Sequence, residues 1–395
     1  MFTPNYVLIR TNFRQTLLAG DRSLADVVAH EISHSWTGNL ITNKTWGHFW
    51  LNEGWTTWLQ RKIMSHPKIS DPSKAAGVYG LDALGGWKHL MDDVALHPEE
   101  DTKLVMTLGD GDPDDSYSGV PYEKGFNLLH CLEVLVGADA FMGFAKAYID
   151  KFKYGTVTSD EFRALFGEYF EDKEEATAAA NFDWDAWLYG TGMPPNPYDP
   201  KFDRSLAEDA EALAKSWLDC DAGGAAPSDG NAISSWSTGQ KTWFLDVVLT
   251  AIEERSVPLK AETVAAMQEV YGFQESRNAE ILFRFLMLGV PTAEAGSEML
   301  DIATRFITTQ GRMKYVRPLY RTLRDSGEQS RALAIDTFLA NQDFYHPIAT
   351  KMLASDLVMS DSKRSPDRLK KLLLLGAAAI AAAAVTLSLM RGKRR

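Results

Sequence analysis

His30-Glu31-Ile32-Ser33-His34 is followed, after eighteen residues, by Glu53. Two histidines four apart on a helix project from one face, so a single metal ion can take a nitrogen from each. Glu53 would add a carboxylate oxygen from a second helix. Two imidazoles and one carboxylate suit zinc and leave a coordination position open, which marks a catalytic rather than a structural site. Glu31 lies between the two histidines in sequence and can reach an attacking water without joining the ligands. Zinc lowers the pKa of bound water to about 7 and polarises a carbonyl. Glu31 would take the proton and later hand it to a leaving amine. One zinc ion per chain is expected.

Two helices must position these groups. Ser23-Leu24-Ala25-Asp26 reads as a capping box, so the first helix should start near Leu24. Leu24, Val27, Val28 and Ile32 would form its apolar side, and Thr37-Gly38-Asn39 a stop. The second helix should start near Asn52 and must end by Pro67, which places Glu53 in its first turn. Trp36, Trp46, Trp50, Trp55 and Trp58 surround the motif and predict core packing with some pocket lining.

The stretch VAHEISHSWTGNLITNKTWGHFWLNEGW resembles the metal site of the gluzincin zinc aminopeptidases, in particular leukotriene A(4) hydrolase and its aminopeptidase B relatives. The resemblance continues through TLLAGD (16–21), SYSGVPYEKG (116–125), WDAWLYGTGMPP (184–195), MQEVYGF (267–273) and QGRMKYVRPLY (310–320), and so covers roughly residues 16–358. It implies that Tyr122 donates a hydrogen bond to the tetrahedral oxyanion, where a placed phenol stabilises developing charge. It implies that Arg312 and Lys314 hold the substrate's free carboxylate, the arginine bidentately and the lysine as a point charge. It also implies that Asp114 shapes specificity and assists epoxide opening in leukotriene hydrolases, and that Tyr117 is a second pocket tyrosine.

The chain departs from the family in one respect. The 395 residues contain no GxMEN segment, whose glutamate binds the substrate's amino group in the family. Residues 1–15 do not resemble the family, and the large β domain and first part of the catalytic sheet expected before the metal motif are missing. Loss of one buried charge contact of this kind costs about 2–5 kcal/mol. The expectation is therefore an N-terminally truncated member in which zinc binding survives and efficient turnover does not.

Composition bounds the rest. With 395 residues, 45% of them hydrophobic, the chain is long enough for two domains. Cys131 and Cys220 form no disulfide framework, which predicts a reducing, cytoplasmic compartment. Met1–Leu18 lacks the continuous apolar core of a signal peptide. Residues 361–395 hold nine Lys or Arg against two Asp, a balance of +7, which leaves −19 of the net −12 on the other 360 residues. An acidic body argues against a nucleic-acid partner and suits short peptide substrates.

The expected organisation is mainly α. A thermolysin-like zinc peptidase domain lacking its N-terminal part spans 16–200, and Met193-Pro194-Pro195-Asn196-Pro197 marks a linker. An α-helical, armadillo-like repeat domain spans 205–360, with helical spacing over 206–218, 242–253, 261–271, 278–288, 295–309, 314–324 and 328–340. Finally, Leu372–Met390 is nineteen uncharged residues between basic flanks. As a helix it would be about 28 Å long, which predicts a single transmembrane helix tethering the body to a membrane. The leading functional expectation is a zinc aminopeptidase with an epoxide hydrolase side activity toward a lipid epoxide. The alternative is a catalytically weak, membrane-tethered binding protein that retains the zinc cleft.

Overall fold

The computed structural model describes residues 25–107, 118–195 and 200–358. The chain divides into two compact units, residues 1–209 and 210–395.

In the first unit, α1 (Ala25–Ser33) leads through a tight turn to the short strand β1 (Ile41–Asn43) and then to α2 (Trp50–Met64). Helices α3 (Ala75–Leu96), α4 (Val120–Val136) and α5 (Ala138–Phe152) follow, then strand β2 (Gly155–Val157) and helices α6 (Ser159–Phe170), α7 (Ala176–Ala180) and α8 (Trp184–Tyr189). β1 and β2 pair in parallel, Ile41 with Gly155 and Asn43 with Val157. These are the only strands among the described residues.

The core of this unit is aromatic. Trp50, Trp55, Trp58, Phe126, Phe141, Phe144, Tyr148, Phe162 and Phe166 are almost wholly buried. Trp55 stacks on Tyr148 with centroids 5.1 Å apart, and Trp50 meets Phe162 edge to face at 5.4 Å. Such contacts add to burial because the rings' edges and faces carry opposite partial charge. Two of the indoles are satisfied, Trp50 donating to Ser159 Oγ at 2.9 Å and Trp58 to Glu133 at 2.9 Å, whereas the buried Trp55 indole N–H finds no partner among the described residues. Trp36 and Trp46 depart from the expected cluster and are about half exposed.

Helix α1 corrects a second expectation. It buries Ala29 and Ser33, while Val27 and Val28 are half-buried and Ile32 is 46% exposed. Leu24 and Ser23 lie outside the described residues. The buried face is built from small residues, and small side chains let α1 lie close to α2. The helix ends at Ser33, earlier than Thr37-Gly38-Asn39. A turn then carries the chain to Gly38, whose φ of +143° suits a residue without Cβ.

Helix α2 starts two residues before Asn52 and ends before Pro67. Glu53 lies in its first turn and Arg61 and Lys62 in its last, the arrangement that complements a helix dipole. It crosses α4 at two glycines. A Cβ on Gly54 would lie 2.8 Å from the Gly125 carbonyl carbon, and one on Gly125 would lie 3.0 Å from Gly54 Cα.

In the second unit, the long helix α9 (Ser205–Asp221) crosses the boundary. α10 (Thr238–Arg255), α11 (Ala261–Tyr271), α12 (Ala279–Gly289), α13 (Glu298–Thr309), α14 (Met313–Asp325), α15 (Glu328–Asn341) and α16 (Pro347–Val358) follow. α10, α12, α14 and α16 pack each against the next in that order, and α11, α13 and α15 pack beside them, so neighbours two apart touch as in stacked helical pairs. Trp217, Phe244, Met267, Phe285, Leu319, Tyr320 and Phe338 form the core.

Among the described residues no helix is long and apolar enough to cross a membrane. The expected transmembrane helix and the membrane tether that rested on it therefore have no support in the structure. The stretch 372–390 itself lies outside the described residues.

The glycine crossing makes a prediction. Gly54→Ala should force α2 and α4 apart and destabilise the fold by about 1–3 kcal/mol. Denaturant unfolding of the two proteins measures this.

Candidate metal centre

α1 and α2 pack against each other and present His30, His34 and Glu53 into one space. His30 Nε2 lies 3.1 Å and His34 Nε2 3.3 Å from the same Glu53 oxygen. One ligand atom from each of the three residues lies within 4.8 Å of the others. The two rings stand edge to face, centroids 4.8 Å apart, as the i, i+4 spacing requires.

The far nitrogens decide which lone pairs face the space. His34 Nδ1 lies 2.9 Å from the Thr37 carbonyl oxygen, which can only accept, so the proton belongs on Nδ1 and the Nε2 lone pair is free. Thr56 Oγ1 lies 3.1 Å from the same nitrogen and donates to the Thr37 carbonyl at 3.0 Å. His30 Nδ1 lies 3.0 Å from Gln60 Oε1, which assigns the same tautomer by the same reasoning. Both imidazoles are thus oriented as metal-binding histidines are, with the outer nitrogen hydrogen-bonded and the inner one available. A Cβ on Gly38 would lie 2.9 Å from His34 Nδ1, so the turn after α1 leaves room for that ring only with glycine there.

Electrostatics follow the geometry. Burial opposes the Glu53 charge, yet the His30 and His34 imidazoles beside it hold its carboxyl below the ordinary carboxylate range; they donate to it only when also protonated at Nε2, a proton that gives way when that nitrogen binds a metal. Burial likewise opposes charge on His34, and Glu53 overcomes it and raises that imidazole. Glu31 is half-buried, and burial raises its carboxyl despite the two nearby imidazoles.

Tyr122 sits in the first turn of α4, its ring stacked 5.9 Å from that of His30. Two residues of the same turn fix the helix. Glu123 accepts from the buried Arg61 of α2 at 2.9 and 3.0 Å, and the guanidinium lies 4.0 Å over the Phe126 ring. Lys124 is fully buried and, among the described residues, pairs with no carboxylate. Its ammonium donates instead to the carbonyls of Thr102, Gly190 and Gly192 at 2.9, 2.8 and 2.9 Å. Burial pushes Lys124 down to about 8. It ties two loops to the start of α4, and Gly190 and Gly192 belong to the GTG stretch after α8.

The structure therefore brings together His30, Glu31, His34, Glu53 and Tyr122. Asp114 and Tyr117 lie outside the described residues. Arg312 and Lys314 lie together in the second unit, at the start of α14. There the Lys314 ammonium pairs with Glu280 of α12, which also accepts from the Tyr315 hydroxyl at 2.6 Å and from Arg284 at 2.9 Å. Burial would raise Glu280, but Lys314 and its other donors hold it at about 2.

Sequence reasoning missed Gln60, Thr56, Arg61, Lys124 and Glu280. Gln60 was accessible in principle: it stands seven residues, two turns, after Glu53 and so on the same face of α2.

Comparison with known proteins places this site in a class. Residues 1–187 match the peptidase family M1 domain, and residues 236–357 match the C-terminal domain of leukotriene A4 hydrolase. The chain belongs to this family of metallopeptidases, whose leukotriene A4 hydrolase-like members are zinc enzymes. More particularly, it is 40% identical over 350 residues to leucine aminopeptidase 2 of Ajellomyces capsulatus, covering 87% of this chain and 52% of that protein. It is 41% identical over 361 residues to leukotriene A-4 hydrolase of Xenopus laevis, covering 88% and 54%. The native leukotriene A4 hydrolase of Saccharomyces cerevisiae superposes with a TM-score of 0.75 at 34% identity, over 87% of this chain and 55% of that one. The yeast enzyme in complex with bestatin gives 0.74 at 34%. The chain spans about half the length of the curated relatives it matches.

Gln60→Leu removes the acceptor from His30 Nδ1 and should weaken zinc binding by about tenfold. Chelator competition measures this, with unchanged helix content by circular dichroism as the control.

Proposed function

We propose that this chain is a zinc-dependent aminopeptidase of the leukotriene A4 hydrolase type, in which His30, His34 and Glu53 hold one zinc ion. The observation that carries this reading is the convergence of three ligand atoms with both histidines turned Nε2-inward. The donor set fits zinc, and it leaves room for a water and a carbonyl oxygen. When bound there, zinc supplies Lewis acidity and makes water a nucleophile near neutral pH.

The chain's own residues supply the rest. Glu31 is the general base: it takes the proton of the attacking water and returns it to the leaving amine, and burial brings its carboxyl toward the pH at which both transfers are possible. Tyr122 donates its phenolic proton as a hydrogen bond to the oxygen that gains charge, from a helix turn that Arg61 and Lys124 prevent from shifting. Arg312 and Lys314 hold the free carboxylate of a short peptide, a role supported by their match to the family's GRMK motif. Asp114 and Tyr117 shape the pocket by the same resemblance. The 395 residues contain no GxMEN segment, so we read turnover by this chain alone as weak.

Metal analysis of the purified chain should find one zinc, and tripeptide cleavage should be slow but zinc-dependent. Cleavage that survives complete removal of zinc would sink the reading. Glu31→Gln should keep the metal and abolish turnover, and residual activity there would remove Glu31 from the base role. Tyr122→Phe should lower kcat by roughly a hundredfold with little change in KM. A shift confined to KM would show that the phenol binds substrate and does not stabilise the oxyanion.

A further inference from the structure

The cationic face of the second unit contains more charge than a carboxylate clamp needs, and most of it is cancelled from within. Arg312 is exposed and donates no hydrogen bond among the described residues; its guanidinium lies 5.7 Å over the Tyr315 ring. The Lys314 ammonium lies 4.8 Å from the centre of the same ring. Beneath them, Glu280 accepts from Lys314, from the Tyr315 hydroxyl and from Arg284, and Arg284 also donates to Asp246 at 2.7 Å. Three cations and two carboxylates leave a net charge of +1, centred on Arg312.

We propose that Glu280 is a specificity-determining positioning residue. It sets the charge of the Arg312–Lys314 face so that the face takes a ligand end bearing one negative charge, a single carboxylate, in preference to a dianionic end. This rests on the proposed reading of Arg312 and Lys314 as the carboxylate-holding pair. The physical basis is twofold. Glu280 occupies one of the three ammonium donors of Lys314 and fixes the side chain along the Tyr315 ring, so Lys314 offers direction more than charge. Discrimination between ligands of different charge then depends on the local sum of charges, and a carboxylate kept ionised within the cluster penalises a second negative group on the ligand.

The test uses the full chain carrying Glu31→Gln, so that peptides are bound and not consumed, and reads equilibrium affinity by calorimetry. The probes are trialanine, its C-terminal amide, and alanyl-alanyl-glutamate, whose end bears two carboxylates. With Glu280 intact, trialanine should bind about fivefold tighter than its amide and at least as tightly as the dianionic peptide. Adding Glu280→Gln keeps the volume and an acceptor for Tyr315, and should turn the preference toward the dianionic peptide by about fivefold. Adding Glu280→Asp instead retains the charge and should retain the preference for one carboxylate, which separates an effect of charge from a loosened fold. If Glu280→Gln leaves the preference unchanged while trialanine still outbinds its amide, the role of Glu280 is overturned and the carboxylate-holding pair stands. If trialanine and its amide bind alike with Glu280 intact, both fall.

Discussion

Gly54 and Gly125 face each other where α2 crosses α4, and backbone occupies the space that a side chain on either would need. Ordinary helix pairs keep their axes 8–10 Å apart because side chains stand between them. Here the absence of side chains lets the backbones touch, and the consequences reach the metal centre. Glu53 precedes one glycine and Tyr122 lies three residues before the other, so the contact sets how far the Glu53 carboxylate stands from the phenol. The tryptophans on either side of Gly54 fill the space around the crossing: Trp50 and Trp55 are buried against Phe162, and Trp58 against Phe141.

Close packing places the helices, and buried polar groups keep them in register. Arg61 spans the crossing to Glu123, and Lys124 reaches three carbonyls on two loops. Each is a charge that would be expensive to bury unpaired, so each binds its partners tightly and tolerates few alternative arrangements. Glu123, which holds Arg61, and Lys124 directly follow Tyr122 in sequence. The metal side of the site is organised in the same way: the Thr37 carbonyl, Thr56 and Gln60 hold the outer nitrogens and leave the inner ones no choice of orientation. In the second unit Glu280 plays the corresponding part, gathering Lys314, Tyr315 and Arg284 around one carboxylate.

The amino-acid sequence by itself marked the candidate metal ligands. Histidines four apart must share a helix face, and a glutamate near a helix start can meet them only from a second element, so His30, His34 and Glu53 were legible without coordinates. Most of the second unit's helices were legible too, because amphipathic spacing acts within one or two turns. The tertiary structure alone decided the supporting shell. Nothing local marks Lys124 as the buried member of a charged Glu-Lys pair, or Glu280 as the partner of a lysine 34 residues away. Nor does the apolar pattern of α1 reveal that Ile32 faces outward while Ala29 and Ser33 face in. Such facts depend on which surfaces meet, and contacts between distant segments are chosen by the packing of the whole unit. The sequence specified which atoms could bind a metal; the fold decided which lone pairs point at it and what holds them there.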